Sequence, residues 1–184
     1  MSKFSKILKS ERPFVIAEIG NNHEGDISVA RELIYAAKDA GVDAVKFQAI
    51  TPERLICPSN EERIKQLKKF CLSIKQLAEL SELSSDIGIV FFTSVFDLNY
   101  IEPLSKIQSL FKISSGDNKY DDLIEKVVST NLPTIISTGG LSLNEITNLI
   151  DNIKNCGGAM SDLAILHCIS NYPTIAENAQ LSLI

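Results

Sequence analysis

Leu110-Phe-Lys-Ile-Ser-Ser-Gly-Asp117 and, one amphipathic interval later, Thr134-Ile-Ile-Ser-Thr-Gly-Gly140 repeat one theme. In each, a short apolar run rich in β-branched and aromatic residues reads as a buried strand, and it ends in hydroxyls and glycine. Between them, Asp121 to Ser129 has helical spacing. After them, Leu143 to Asn155 is a second helix, stopped by Gly157-Gly158, and Leu163-Ala-Ile-Leu-His167 is the next strand. Strand, helix, strand, helix, strand in one layer calls for right-handed crossovers and a parallel sheet.

The same rhythm extends toward the N-terminus. Ile89 to Ser94 is a strand, and Leu98 to Ser105 a short helix or turn containing Pro103. Ala44-Val-Lys-Phe-Gln48 is a strand, and so is Phe14-Val-Ile-Ala-Glu-Ile19. Ile27 to Ala40 is a helix with Gly41 as its C-cap. A polar stretch from Ala49 to about Glu61 delays the following helix, which starts near Glu62, breaks at Ser73 and continues over Ile74 to Ser84. No linker, repeat or low-complexity segment divides the chain.

Two α/β architectures fit six such units, a doubly wound sheet and a TIM barrel. Glu18, Lys46, Thr93, Ser115, Ser137 and His167 all fall at or near strand C-terminal ends. A barrel gathers those ends into one ring and draws catalytic groups from many of them, whereas an open sheet concentrates its ligand at one switch point. No G-x-G-x-x-G follows the first strand. The expectation is therefore an α/β fold of the TIM (β/α)8 type. A complete barrel takes about 250 residues. The 184 residues here hold about six β/α units, so an incomplete barrel is expected.

Hydrophobic residues make up 45% of the chain and charged residues 22%, a globular composition. The net charge of −5 argues against a nucleic-acid binder, which needs a basic stripe. It leaves room for an anionic small molecule in a local pocket of lysine and backbone N–H groups. The N-terminal Met-Ser-Lys-Phe-Ser-Lys lacks the apolar run of a signal peptide, and no stretch reaches the roughly 18 apolar residues of a membrane helix. Cys57, Cys71, Cys156 and Cys168 have no C-x-x-C spacing and lie among apolar segments, which reads as reduced, mostly buried thiols. A cytoplasmic protein that touches neither membrane nor nucleic acid is expected.

Four groups carry possible chemistry. Glu18 ends an apolar strand, where a carboxylate needs a partner or a task. Lys46 at the matching end of the next strand supplies a partner, so a structural ion pair and a working pair both fit. His23, in the loop after Glu18, reads as a solvated loop histidine. Lys46 and Gln48 alternate with Val45 and Phe47, so they point together into the barrel. Lys46, Thr93-Ser94, Lys112, Ser115 and Ser137 combine lysines, hydroxyls and glycine turns, which suits a phosphate. Each turn alone is also ordinary helix-capping chemistry. In Leu166-His-Cys-Ile-Ser-Asn-Tyr-Pro-Thr174, His167 reads as a core histidine. Cys168 reads as a packing thiol with no basic residue beside it in sequence.

Taken in order, Ile16-Ala-Glu-Ile-Gly-Asn-Asn-His-Glu-Gly25, Val45-Lys-Phe-Gln48, Phe92-Thr-Ser-Val-Phe-Asp97, Phe111-Lys-Ile-Ser-Ser-Gly-Asp117, Ile136-Ser-Thr-Gly139 and Leu166-His-Cys-Ile-Ser-Asn-Tyr-Pro173 resemble the motif series of the sialic acid synthase family. That family includes N-acetylneuraminate, legionaminate and pseudaminate synthases. The resemblance covers nearly the whole chain and implies a TIM barrel followed by an antifreeze-like domain, working as a homodimer. It implies a transferase that condenses phosphoenolpyruvate with an N-acyl amino sugar, such as N-acetylmannosamine or a bacterial analogue, and releases phosphate. A divalent metal, Mn or Mg, is implied as activator of the sugar aldehyde.

By the same resemblance Glu18 is the catalytic carboxylate. Lys46, Ser94 (with Thr93 as the alignment alternative), Lys112, Ser115 and Ser137 bind phosphoenolpyruvate. Gln48, Asp117 and Tyr172 bind the sugar. Ser170 stands where some members carry a ligand-binding asparagine, a departure that leaves its role and that of Asn171 open. The family's metal-binding histidines lie beyond the sixth strand and match neither His23 nor His167. Residues 1–184 are thus expected to be the N-terminal part of the barrel domain, without the antifreeze-like domain or the metal ligands, as a fragment or split product inactive alone. Two alternatives stay open, another phosphoenolpyruvate-dependent keto-acid synthase and a non-catalytic remnant that binds an anion or a partner. The His-Cys-Ile-Ser-Asn-Tyr-Pro form leans toward the legionaminate-like branch, and the amino sugar itself is not legible.

Overall fold

The structure, a computed structural model, describes residues 12–184; the N-terminal segment read above for a signal peptide lies outside them. Six parallel strands form one sheet in the order β1-β2-β3-β4-β5-β6. They are β1 (Ile16–Gly20), β2 (Ala44–Ala49), β3 (Val90–Val95), β4 (Phe111–Ile113), β5 (Thr134–Ser137) and β6 (Leu163–Leu166). Each strand pairs with the next one in sequence. A doubly wound sheet would reverse this order at its switch point, and none is seen. The arrangement is an arc of a TIM-type barrel, as the strand-end pattern predicts.

The helices between the strands are α1 (Ile27–Asp39), α2 (Pro52–Leu55), α3 (Glu61–Lys68), α4 (Ile74–Asp86), α5 (Leu98–Ser105), α6 (Asp121–Val128) and α7 (Leu143–Asn155). Local chemistry sets their ends. Asp26 caps α1 by accepting from Ser28 N at 2.7 Å. Ser73 and Ser142 form reciprocal capping boxes with Gln76 and Glu145, which is why the helical pattern breaks at Ser73. The stretch read as a polar delay after β2 contains the short α2, started by Pro52 at its first turn.

Strand alternation sorts the core into two layers. Val45, Phe47, Phe91, Phe111, Ile113 and Ile136 pack outward against Ile34, Leu77, Leu80, Ile101, Leu104, Ile124 and Leu149 of the helices. Ala44, Phe92, Leu110 and Ile135 fill the inner side with Ile16, Val90 and Ala164. The next inward positions toward the strand C-termini are Glu18, Lys46, Ser94, Lys112 and Ser137. They sit on five consecutive strands and form the inner rim of the arc.

Among the described residues no helix is long and apolar enough to cross a membrane. The thiols differ from expectation. All four are free, but Cys57 is exposed in the loop between α2 and α3, and the other three are only partly covered. The Ser59 hydroxyl bonds the Cys57 sulfur and holds its pKa below the usual thiol range.

Candidate functional site

The register of β1 against β2 sets Glu18 beside Lys46, and that of β2 against β3 sets Gln48 beside Ser94. Val45 and Phe47 are wholly buried under the helices, so the intervening Lys46 and Gln48 must face the rim. Lys46 Nζ lies 2.5 Å from Glu18 Oε2 and donates to Ser94 Oγ at 3.0 Å. The ammonium is largely shielded while the carboxylate is half exposed, with side-chain accessibilities of 12% and 51%. Glu18 thus keeps a free edge toward the mouth. A bulge follows it, where Gly20 takes φ +55°, and a Cβ there would stand 3.1 Å from Glu18 Oε1. Just beyond, Asn21 Nδ2 donates to Gln48 Oε1 at 2.9 Å. Asn21 Oδ1 is buried without a partner.

Lys112 dominates the other half. It is 7% exposed, and its Nζ donates to Ile113 O at 2.7 Å and Ser137 Oγ at 2.6 Å. Burial, and then repulsion from Lys46, depress its pKa to about 8, while Cys168, Glu18 and Asp117 pull it upward. A lysine bonded only to neutral oxygens in a sparsely hydrated site pays for its charge, and an incoming anion would relieve that cost. Asp117 closes a single 3-10 turn after β4, Ser115–Asp117. Burial raises its carboxyl pKa against the opposing pull of Lys112.

The loops after β4, β5 and β6 meet at Gly139. Its N–H donates to Ser115 Oγ at 3.1 Å. A Cβ on Gly139 would stand 2.6 Å from Ser170 Oγ and 2.7 Å from Ser115 Oγ, so only glycine leaves room for both hydroxyls. Asn118, buried, donates to Ser137 O and Gly139 O, each at 3.2 Å. The rim therefore presents two ammonium groups, three serine hydroxyls and a carboxylate on one side of one sheet, a set suited to holding a small polyanion.

Several expected residues fall elsewhere. Thr93 is buried on the opposite face of β3, and both its N–H and its Oγ1 donate to Gln108 Oε1, at 3.0 and 2.9 Å. Period-two alternation forbids Thr93 and Ser94 from sharing a face, so only Ser94 reaches the rim. Tyr172 is 99% exposed and joins no cluster among the described residues. His23 is not solvated. It is 1% exposed because three successive turns fold the loop back over β2, bringing its ring 5.8 Å from that of Phe47. Its Nδ1 accepts from Gly25 N at 3.0 Å, its Nε2 has no partner of normal hydrogen-bond geometry, and burial lowers its pKa. His167 is the reverse case, exposed rather than core, with Nε2 2.9 Å from Ala179 O. It follows β6, the last strand of the arc. Cys168 does have a basic neighbour, Lys112, which curvature brings near from two strands away.

Asn21, Asn118 and the Gly139 contact were not singled out in the sequence. Asparagine and glycine in βα turns look like caps, and only the fold shows what they touch. A groove of about 390 Å³ lies outside the rim between α6 and α7, lined by Asn118, Lys119, Asp121, Glu145 and Asn152 among others. Within the described residues the rim itself is an open concave face.

The model of the NeuB family matches residues 33–184. The chain is 41% identical over 179 residues to an uncharacterized protein of Methanocaldococcus jannaschii, an alignment covering 96% of this chain and 52% of that protein. It is 38% identical over 184 residues to the N,N'-diacetyllegionaminic acid synthase of Legionella pneumophila, covering 91% of this chain and 52% of that one. Among solved structures, the N-acetylneuraminic acid (sialic acid) synthetase of Leptospira borgpetersenii, crystallised with citrate, superposes with a TM-score of 0.86 at 34% identity. That match covers 93% of this chain and 59% of that one. The chain thus spans about half the length of the curated relatives it matches. With a family match over most of its length and a barrel-type arc superposing on a sialic acid synthetase, the chain belongs to the NeuB family, whose members here include sialic, legionaminic and pseudaminic acid synthases.

Proposed function

We propose that this chain supplies the phosphoenolpyruvate-binding half of a synthase that condenses phosphoenolpyruvate with an N-acyl amino sugar to a nonulosonic acid and phosphate. The observation that carries this reading is the rim row of Glu18, Lys46, Ser94, Lys112 and Ser137 on five consecutive strands. Two lysines and neighbouring hydroxyls match the carboxylate and phosphate of one small trianion. The acidic protein as a whole supplies no other comparable positive site among its described barrel strands.

In the reaction, C3 of phosphoenolpyruvate attacks the sugar aldehyde carbon. The C=O π electrons move to oxygen, which takes up a proton to become a hydroxyl, and cationic character is left at C2. Water adds at C2, a proton is lost, and phosphate departs with its C–O bond cleaved, leaving the keto acid. Lys46 and Lys112 hold and orient the anion, and Ser94, Ser115 and Ser137 donate hydrogen bonds to it. Glu18, held beside Lys46 with a free edge, is placed to stabilise the cationic carbon or to take the proton of the attacking water. Gln48, steadied by Asn21, and Asp117 face the sugar side. The exposed Tyr172 needs further structure around it to take part.

The divalent metal implied by the family supplies Lewis-acid activation of an aldehyde when bound. Among the described residues no three His, Cys, Asp or Glu side chains come together as a donor set, so this half does not fit a metal and no step here is assigned to it. On the same reading the complete protein works as a homodimer, and residues 1–184 alone bind the anion without turnover. In the described arc β1 and β6 do not pair with each other, which leaves the mouth unclosed.

The test is calorimetric titration of the chain with phosphoenolpyruvate and with inorganic phosphate, together with a phosphate-release assay containing manganese and N-acyl mannosamines. Binding of phosphoenolpyruvate in preference to phosphate is expected. Failure to bind it at millimolar concentration overturns the reading.

A further inference from the structure

We propose that Asn118 is a positioning residue of the anion site, its side-chain amide fixing the β5 turn so that Ser137 and Gly139 present their groups to the rim. The inference rests on the anion-site reading above. Asn118 follows the 3-10 turn after β4, yet both its contacts are on the β5 side, at Ser137 O and Gly139 O. Those two carbonyls bracket Thr138, whose own N–H and hydroxyl donate to Leu166 O at the end of β6. The turn is thereby held from both sides, by Asn118 from β4 and by Thr138 to β6.

Two rim contacts depend on that turn. Ser137 Oγ receives the Lys112 ammonium at 2.6 Å, and Gly139 N–H donates to Ser115 Oγ at 3.1 Å. Both hydrogen bonds of the Asn118 amide go to backbone carbonyls rather than to these groups. Asn118 is 5% exposed, and losing its amide would leave the carbonyls of buried Ser137 and Gly139 without this donor. The turn would then be free to shift, and with it the oxygen that anchors Lys112. Because burial is the main reason for the depressed pKa of Lys112, a loosened turn that admits water should let that pKa rise.

The test uses Asn118→Ala and Asn118→Ser, with Asn152→Ala as a comparator. Asn152 donates to Asp121 at 3.0 Å, a contact between α6 and α7 away from the rim. The pH midpoint of Lys112 acetylation, read by peptide mass spectrometry, is measured in the ligand-free proteins, and the Kd for phosphoenolpyruvate is measured alongside. Both Asn118 variants are expected to move the Lys112 midpoint upward from about 8 and to raise the Kd roughly tenfold. Asn152→Ala should lower the Tm without moving either quantity. If the alanine variant does not fold, the smaller change to serine carries the test. A folded Asn118 variant with the wild-type midpoint, or an equal shift in Asn152→Ala, overturns the positioning role. If wild-type protein binds no phosphoenolpyruvate, the anion reading falls, while the ligand-free midpoint still decides Asn118.

Discussion

Lys112 and Ser137 stand 25 residues apart in the chain, yet Lys112 Nζ donates to Ser137 Oγ at 2.6 Å across the junction of β4 and β5. The contact makes a buried ammonium depend on a neutral hydroxyl and a backbone carbonyl for its solvation. A carboxylate paired in its place would silence the charge. Neutral partners leave it available to an anion.

That arrangement gives a pH dependence with a definite sign. Lys112 has a folded pKa of about 8 against an ordinary value of 10.5. Between these values the unfolded chain holds the proton that the folded chain has lost. Stability therefore rises with pH across that window, and the charge penalty is fully present below it. The span corresponds to something on the order of 3 kcal/mol. Urea unfolding of wild type and Lys112→Met at pH 7 and pH 10 should show the variant ahead at pH 7 and its advantage shrinking at pH 10. Phosphoenolpyruvate affinity should run the other way and fall as pH rises past 8. A stability difference independent of pH would contradict the assignment.

Lys46→Ala should weaken phosphoenolpyruvate binding more than tenfold, because a charge-assisted contact is worth about 1.5–3 kcal/mol. It also strips Glu18 of its partner at 2.5 Å. Calorimetry at fixed ionic strength reads the effect. An unchanged Kd would reduce Lys46 and Glu18 to a structural ion pair.

The adjacent hydroxyls of β3 should separate cleanly. Ser94→Ala removes a rim hydroxyl bonded to Lys46 and should raise the Kd for phosphoenolpyruvate severalfold with little change in Tm. Thr93→Val removes a buried hydroxyl bonded to Gln108 and should cost about 1 kcal/mol of stability with an unchanged Kd. The opposite pattern would mean that the face assignment of β3 is wrong.

Gly139→Ala should damage the rim where Gly116→Ala does not. The new methyl at Gly139 meets Ser170 Oγ and Ser115 Oγ inside 3 Å, whereas a Cβ at Gly116 meets nothing within 4 Å. Displaced hydroxyls should raise the Kd for phosphoenolpyruvate by roughly tenfold at position 139. Equal, small effects at both glycines would show that the serines move aside freely.

Local sequence alone determined the strands, most helix ends and the inward pair on β2. Apolar runs, capping serines and period-two alternation are short-range properties, and Lys46 with Gln48 opposite Val45 with Phe47 is legible from five consecutive residues. The order of the motifs along the chain likewise marks the family. Tertiary structure decided what depends on register between strands and on how loops return. It placed Ser94 rather than Thr93 at the rim, since a one-residue offset reverses the face. It buried His23, because the loop after β1 folds back over β2, and it set His167 in an exposed position just after β6. It also brought Asn118 to the β5 turn and Cys168 near Lys112, contacts between distant segments that no local pattern encodes.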